Sequence, residues 1–238
     1  MKAMIFAAGK GTRLGNLTSV TPKALLEING KSALQIAVEK VTSDGFSDII
    51  VNIHHHSGRM MEEIERLNKM GFRISVSDET EQLLETGGGL FKARWFFDDR
   101  PFLLYNADVI TDLDLKALYS FHLQKKGIAT LAVRKAGDSR VFITDSDGTI
   151  TGWKNRKSGE EIIVSESKNS SEVAFMGIHV VNPEIFTFMN EGIYSLTLLY
   201  LEIAKHRKIF TLCQTHSYFF DIGTPENLED ARHFFMKN

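Results

Sequence analysis

Residues 7–23 read AAGKGTRLGNLTSVTPK and continue a strand-like apolar run near 2–7. A strand ending at Ala7 or Ala8 therefore runs into Gly9-Lys10-Gly11-Thr12-Arg13. Glycines at 9 and 11 let backbone amides approach an anion without interference from a Cβ, and such amides form a phosphate-binding nest. Arg13 and Lys23 supply cations, with Lys10 a third candidate. Amides to position and cations to neutralise are what a triphosphate needs. Two commoner glycine motifs do not fit. The dinucleotide fingerprint requires a third glycine where Leu14 stands and an acidic residue near the end of the second strand, which reads Asn52-Ile53-His54. The Gly-Lys-Ser/Thr of a P-loop is absent. Taken alone, the stretch reads equally well as a glycine turn with surface cations.

Working outward, strand-like runs near 48–53, 72–77 and 101–105 alternate with helical periodicity. After Ser32, an N-cap, Leu34, Ala37, Val38 and Val41 share one helical face, and Met60, Ile64 and Leu67 share another. Phe72, Ile74 and Val76 alternate as a half-buried strand does. This order predicts an α/β fold, Rossmann-like, with three α/β/α layers around a mixed, mainly parallel sheet. From about residue 128 strands follow one another, at 128–134, 140–144, 149–153, 161–164 and 173–181. A helix is expected over 195–206, and a last one beginning at Thr224-Pro225. No linker interrupts the 238 residues. The expectation is one domain, 1–238, with a nucleotide-binding half at 1–110 and a substrate half at 111–238 completing the sheet.

A 43% hydrophobic and 24% charged chain of formal net charge −2 has the composition of a soluble protein and no global field for nucleic acid or an anionic membrane. Cys213 is the single cysteine, which excludes an internal disulfide and a cysteine-based zinc cluster. The N-terminal apolar run is too short for a signal peptide or a membrane span, so the expected location is the cytoplasm. Oligomeric state is left open.

Five segments in order carry a family resemblance. They are Gly9–Arg13 with Pro22-Lys23; Glu85-Thr86-Gly87-Gly88-Gly89, ahead of a helix; Asn106-Ala107-Asp108 after the apolar strand PFLLY; Phe175-Met176-Gly177-Ile178; and Phe220-Asp221-Ile222-Gly223-Thr224-Pro225. Together they span positions 7 to 225 and resemble the sugar-1-phosphate nucleotidyltransferases. The resemblance implies transfer of a nucleotidyl group from a nucleoside triphosphate to a sugar 1-phosphate, with release of pyrophosphate. It further implies that Ala8, Gly9, Lys10, Gly11, Thr12 and Asn106 contact the nucleotide and that Glu85, Thr86 and Gly87 read its base. Gly177 would meet the sugar, and Asp108 and Asp221 would hold Mg²⁺. Residues 152–168 do not align with the family pattern; Asn155 and Glu166 are sugar-contact candidates there, with Trp153, Lys154 and Lys168 open beside them. Arg13 and Lys23 would stabilise the reacting phosphates. The ETGGG loop points to UTP with N-acetylmuramate 1-phosphate or a similar hexosamine phosphate. GTP with mannose or heptose 1-phosphate is the alternative.

Other motifs compete less well. Asp112-Leu-Asp114 fits the Asp-x-Asp of a metal-dependent glycosyltransferase, but consuming a sugar nucleotide requires no pyrophosphate-leaving site. A non-catalytic regulatory subunit could keep the fold, yet here both aspartates and both cations are present. His54-His55-His56 alternates between faces of an extended chain, which argues against a zinc site. Asp145-Ser-Asp147-Gly148 opens like a calcium loop, but its glycine comes two positions early, so a tight turn is expected.

Overall fold

The computed structural model describes residues 1–135, 137–215 and 217–237. The first half runs β1 (Lys2–Phe6), a hairpin of β2 (Glu27–Ile28) and β3 (Lys31–Ser32), α1 (Ala33–Ser43), β4 (Asp48–Ile53), α2 (Ser57–Lys69), β5 (Ile74–Asp78), α3 (Glu85–Lys92) and β6 (Phe102–Asn106). Next come β7 (Val109–Thr111), α4 (Leu115–Lys125), β8 (Ala129–Lys135), β9 (Arg140–Thr144), β10 (Ile150–Asn155), β11 (Glu161–Ile163) and β12 (Ser171–Val181). The chain closes with α5 (Leu196–Ala204), β13 (Ile209–Cys213), β14 (Phe219–Asp221) and α6 (Pro225–Lys237).

Ten strands form one mixed sheet in the order β11-β10-β9-β12-β6-β1-β4-β5, with β8 also on β12 and β13 on β8. The stretch β6-β1-β4-β5 is parallel throughout. β12 joins it antiparallel to β6, so strands of both halves hydrogen-bond in a single sheet. Period-two alternation along β1 shows how the layers arise. Ala3 and Ile5 face a core shared with Val38, Leu67 and Leu118 of α1, α2 and α4. Met4 faces the opposite core, with Leu90 of α3 and Tyr200 of α5. Both faces of the sheet are thus covered, as a parallel sheet requires.

The local signals read from sequence act as stated. Ser32 Oγ accepts from Gln35 N–H at 3.0 Å and caps α1, whose Leu34, Ala37, Val38 and Val41 are buried. Thr224 Oγ1 accepts from Asn227 N–H at 3.3 Å, with Pro225 at the first position of α6. One expectation needs correcting: Glu85–Gly89 does not lie ahead of a helix but forms the first turns of α3. Three successive glycines are poor helix formers, so contacts must compensate. A Cβ at Gly88 would sit 2.0 Å from the Gly192 carbonyl oxygen, and one at Gly87 would sit 2.4 Å from the Tyr194 ring. Gly87 N–H donates to the Tyr194 carbonyl at 2.8 Å. The glycines therefore let α3 press against the 192–194 backbone. Gly88→Ala is expected to destabilise the protein by about 2–3 kcal/mol, because backbone rather than a mobile side chain must yield. That corresponds to a melting temperature lower by roughly 5–10 °C, and an unchanged value in thermal denaturation would contradict the packing account.

Candidate active site

Parallel strands β1, β4 and β6 all end at one crevice, where an open sheet of this kind presents its ligand site. The crevice holds a cavity of about 350 Å³. Ala7, Ala8 and Gly9 form one wall, Glu85 and Thr86 another, and Asn106 to Asp108 with Lys23 a third.

At one end of this crevice Asp108 and Asp221 meet, although 113 positions separate them in the chain (221 − 108). The pairing of β14 with β7 brings them together: Asp221 is in register with Val109, and Ile222 N–H donates to the Asp108 carbonyl at 3.0 Å. Tyr105 Oη donates to the Val109 carbonyl at 3.0 Å and pins the turn between β6 and β7 from inside the core. Lys23 Nζ donates to Asp108 Oδ2 and stands 3.6 Å from Asp221 Oδ1. Its side chain is only 11% exposed, so the ammonium sits between the two carboxylates rather than in solvent. Arg13, 63% exposed, reaches Asp221 Oδ2 at 3.8 Å. Gly223 leaves room for it, since a Cβ there would lie 2.5 Å from Arg13 Nη2.

The glycine-rich segment carries the expected conformational demand at Gly11, which is left-handed at φ +64. Thr18 Oγ1 donates to the Gly11 carbonyl at 3.0 Å, and the buried Leu14 packs with Leu26, Ile222 and Leu228. One small apolar cluster thereby ties the Arg13 turn to the strand end that carries Asp221. Gly9, Lys10 and Thr12 are exposed, with nothing within 4 Å of a Cβ built on Gly9. Ala8 and Gly9 line the cavity; Lys10, Gly11, Thr12 and Arg13 are not on its lining.

On the opposite wall Glu85 holds φ +57, a left-handed conformation uncommon outside glycine and found preferentially where a site demands it. Thr86 Oγ1 accepts from Leu196 N–H at 2.9 Å, locking this wall to the start of α5. Gly87 differs from expectation: its N–H is already committed to Tyr194 and it lies behind the cavity surface.

The sugar-side candidates lie away from this cavity. Gly177 (φ +73) occupies a bulge in β12, at the register shift between Phe175 and His179 against β8. A Cβ there would lie 2.8 Å from Asn106 Nδ2, so the close approach it permits is that of Asn106, and Gly177 itself is buried off the cavity. Asn155 ends β10, and its Oδ1 accepts from Lys157 and Ser158 N–H at 3.1 and 3.4 Å, closing the turn to β11. Glu166 is exposed in the segment after β11. Neither lines the cavity, because β10 and β11 form the far edge of the sheet.

Competing motifs resolve into structure. Asp114 caps α4 through Ala117 N–H at 2.9 Å, and Asp112 Oδ1 accepts from Tyr218 N–H at 2.9 Å. Asp145 Oδ1 accepts from Asp147 and Thr149 N–H, a tight turn. His122 and His179 are core residues bonded to Thr130 and Tyr200; burial holds their pKa values down to about 4 and about 3, so both are neutral near pH 7.

Two residues that sequence reasoning passed over belong to the crevice. Asn52 lines it and accepts from Ala7 N–H at 2.8 Å through Oδ1. Behind it, fully buried Glu79 accepts from Asn52 Nδ2 at 2.8 Å. Burial pushes the Glu79 carboxyl above the usual range, opposed by its hydrogen bonds from Asn52 and Leu84. The available signal was a polar residue inside the apolar strand DIIVNI.

The family model described as nucleotidyl transferase matches residues 2–238. The chain belongs to the nucleotidyl transferase family. It is 29% identical over 240 residues to an N-acetylmuramate alpha-1-phosphate uridylyltransferase from Neisseria meningitidis, covering 98% of this chain and 97% of that one. It is 30% identical over 211 residues to a UTP–glucose-1-phosphate uridylyltransferase from Synechocystis, covering 81% of this chain but about half, 52%, of that protein's length. Mannose-1-phosphate guanylyltransferases match as well. A putative glucose-1-phosphate thymidylyltransferase from Bacillus anthracis shares the fold at a TM-score of 0.81 and 19% identity, over 98% of this chain and 94% of that one. Among the described residues no helix is long and apolar enough to cross a membrane.

Proposed function

We propose that this chain couples a sugar 1-phosphate to a nucleoside triphosphate, UTP in preference to GTP, with an N-acetylated hexosamine phosphate such as N-acetylmuramate 1-phosphate as the acceptor. The observation that carries the reaction class is the convergence of Asp108, Asp221, Lys23 and Arg13 at one end of the crevice. The sugar-phosphate oxygen attacks the α-phosphorus in line and pyrophosphate departs. The attacking phosphate is already ionised, so no protein nucleophile or general base is needed, and positioning with electrostatics supplies the catalysis. Ala8 and Gly9 amides lie where the phosphates pass. Lys23 neutralises charge at the α-phosphate, and the exposed Arg13 stabilises the β- and γ-phosphates and the leaving pyrophosphate.

The donor set suits Mg²⁺. Two carboxylates already converge on a single cation, and among the described residues no group of three His, Cys, Asp or Glu could hold a metal without substrate. Mg²⁺ characteristically takes one or two carboxylates and completes its shell with phosphate oxygens and water. When bound by Asp108 and Asp221 it supplies charge neutralisation between two anionic substrates.

Support for UTP is the near full-length match to a uridylyltransferase, and the guanylyltransferase relatives favour the second reading, GTP with a mannose-type phosphate. Uracil and guanine differ in ring size and edge pattern, and a buried group left unpaired by the wrong base costs about 1–3 kcal/mol. UTP is therefore expected to exceed GTP by roughly 10–100-fold in kcat/KM, with Glu85 and Thr86 as readers. Competition kinetics with equal UTP and GTP, run with N-acetylmuramate 1-phosphate and then mannose 1-phosphate, test this. A GTP preference with the mannose compound overturns the substrate assignment and leaves the reaction class standing.

A further inference from the structure

Glu79 has no exposed surface, and its carboxylate takes two hydrogen bonds from two different segments. Oε1 accepts from Asn52 Nδ2 at 2.8 Å, and Oε2 accepts from Leu84 N–H at 3.2 Å. Its own N–H donates to the Ile53 carbonyl at 2.8 Å, fixing it to the end of β4. Asn52 continues the chain by accepting from Ala7 N–H at 2.8 Å. The connected run is thus Ala7, Asn52, Glu79, Leu84. Its first member opens the glycine-rich loop, and its last directly precedes left-handed Glu85. The structure also clears space for this carboxylate: a Cβ on Gly89 would lie 2.6 Å from Glu79 Oε1 and 3.1 Å from Asn52 Nδ2. The third glycine of ETGGG therefore answers to Glu79 and not to a ligand.

A buried carboxylate held by neutral donors alone is costly, and an apolar side chain would fill the same volume more cheaply. What it provides here is a buried hydrogen-bonded bridge between two of the three walls of the cavity. We propose that Glu79 is a positioning residue for nucleotide binding, setting through Asn52 and Leu84 the separation between the Ala7–Gly9 wall and the Glu85–Thr86 wall. This rests on the reading of the cavity as the nucleotide site. Glu79 touches no reacting atom; it acts through the loops it joins.

The test uses the purified full chain, UTP binding by titration calorimetry, and steady-state kinetics. Glu79→Gln keeps the volume but turns one acceptor into a donor facing another donor. UTP affinity is expected to fall about tenfold or more, the size expected when one buried donor loses its acceptor. The KM for UTP rises in step, while kcat and the KM for sugar phosphate change less than about threefold, as befits a wall that orients the nucleotide. Gly89→Ala reaches the same carboxylate from the other side without placing charge on the cavity wall, since its Cβ would lie 2.6 Å from Glu79 Oε1 and must displace it. UTP affinity is expected to fall in this variant too, with kcat again changed less than about threefold. Should Glu79→Gln prove too unstable to purify, a folded Gly89→Ala carries the test. Parent-like UTP affinity in Glu79→Gln, or in folded Gly89→Ala, overturns the positioning role. If the unaltered chain binds none of UTP, GTP, CTP or dTTP, the nucleotide reading of the cavity falls, and this inference with it.

Discussion

Asp108→Asn and Asp221→Asn are each expected to lower turnover by at least about 10²-fold, a loss of roughly 3 kcal/mol of transition-state stabilisation. An amide keeps the shape of the side chain but offers a neutral oxygen where Mg²⁺ requires a charged one. The fold should persist, because neither carboxylate is part of the core: Asp108 and Asp221 are 25% and 40% exposed. Asp221→Asn also leaves the Asx-type contact from Gly223 N–H to Oδ1 available, so the start of α6 need not move. Turnover measured at saturating Mg²⁺ decides the matter, and near-normal rates in either variant remove that aspartate from the metal site.

Lys23→Ala is expected to produce two changes of opposite sign. Turnover should fall by about 10²–10³-fold, since a fixed cation aimed at developing phosphate charge acts at its strongest where water is excluded. At the same time, divalent-ion affinity of the free protein should rise, because the ammonium between Asp108 and Asp221 no longer competes for their charge. Magnesium titration by calorimetry and steady-state kinetics on the same preparation separate the two effects. A variant whose magnesium affinity weakens together with its rate would contradict the placement of Lys23 between the carboxylates.

Much of the fold was legible because its signals are local. The Ser32 cap, the apolar face of α1 and the period-two alternation of the strands each follow from contacts a few residues apart. So did the Asp145 turn, where one side chain accepts from backbone two and four positions ahead. The candidate site was legible in part. Asp108 and Asp221 were marked by the family resemblance, Asp108 just after the apolar strand PFLLY, and the β7–β14 pairing that joins them is a long-range fact. Gly87 and Gly177 show what a sequence leaves open. A glycine announces close approach but not what approaches, and here Tyr194 and Asn106 are what a Cβ at those positions would meet. Asn155 makes the same point for a polar side chain, since the turn that its Oδ1 closes cannot be told in sequence from a contact to substrate. Glu79 was invisible because its hydrogen bonds join segments that only the folded sheet brings together.

Pyrophosphate release reports the proposed reaction most directly. UTP, GTP, CTP and dTTP are each incubated with N-acetylmuramate, N-acetylglucosamine, mannose and glucose 1-phosphates, in Mg²⁺ and again in excess chelator. At least one pairing is expected to release pyrophosphate in step with formation of the matching nucleotide sugar, with activity abolished by the chelator and restored by added Mg²⁺. Pyrophosphate release that persists undiminished in the chelator, or its absence from every pairing by a folded protein that binds the triphosphate, would contradict the account.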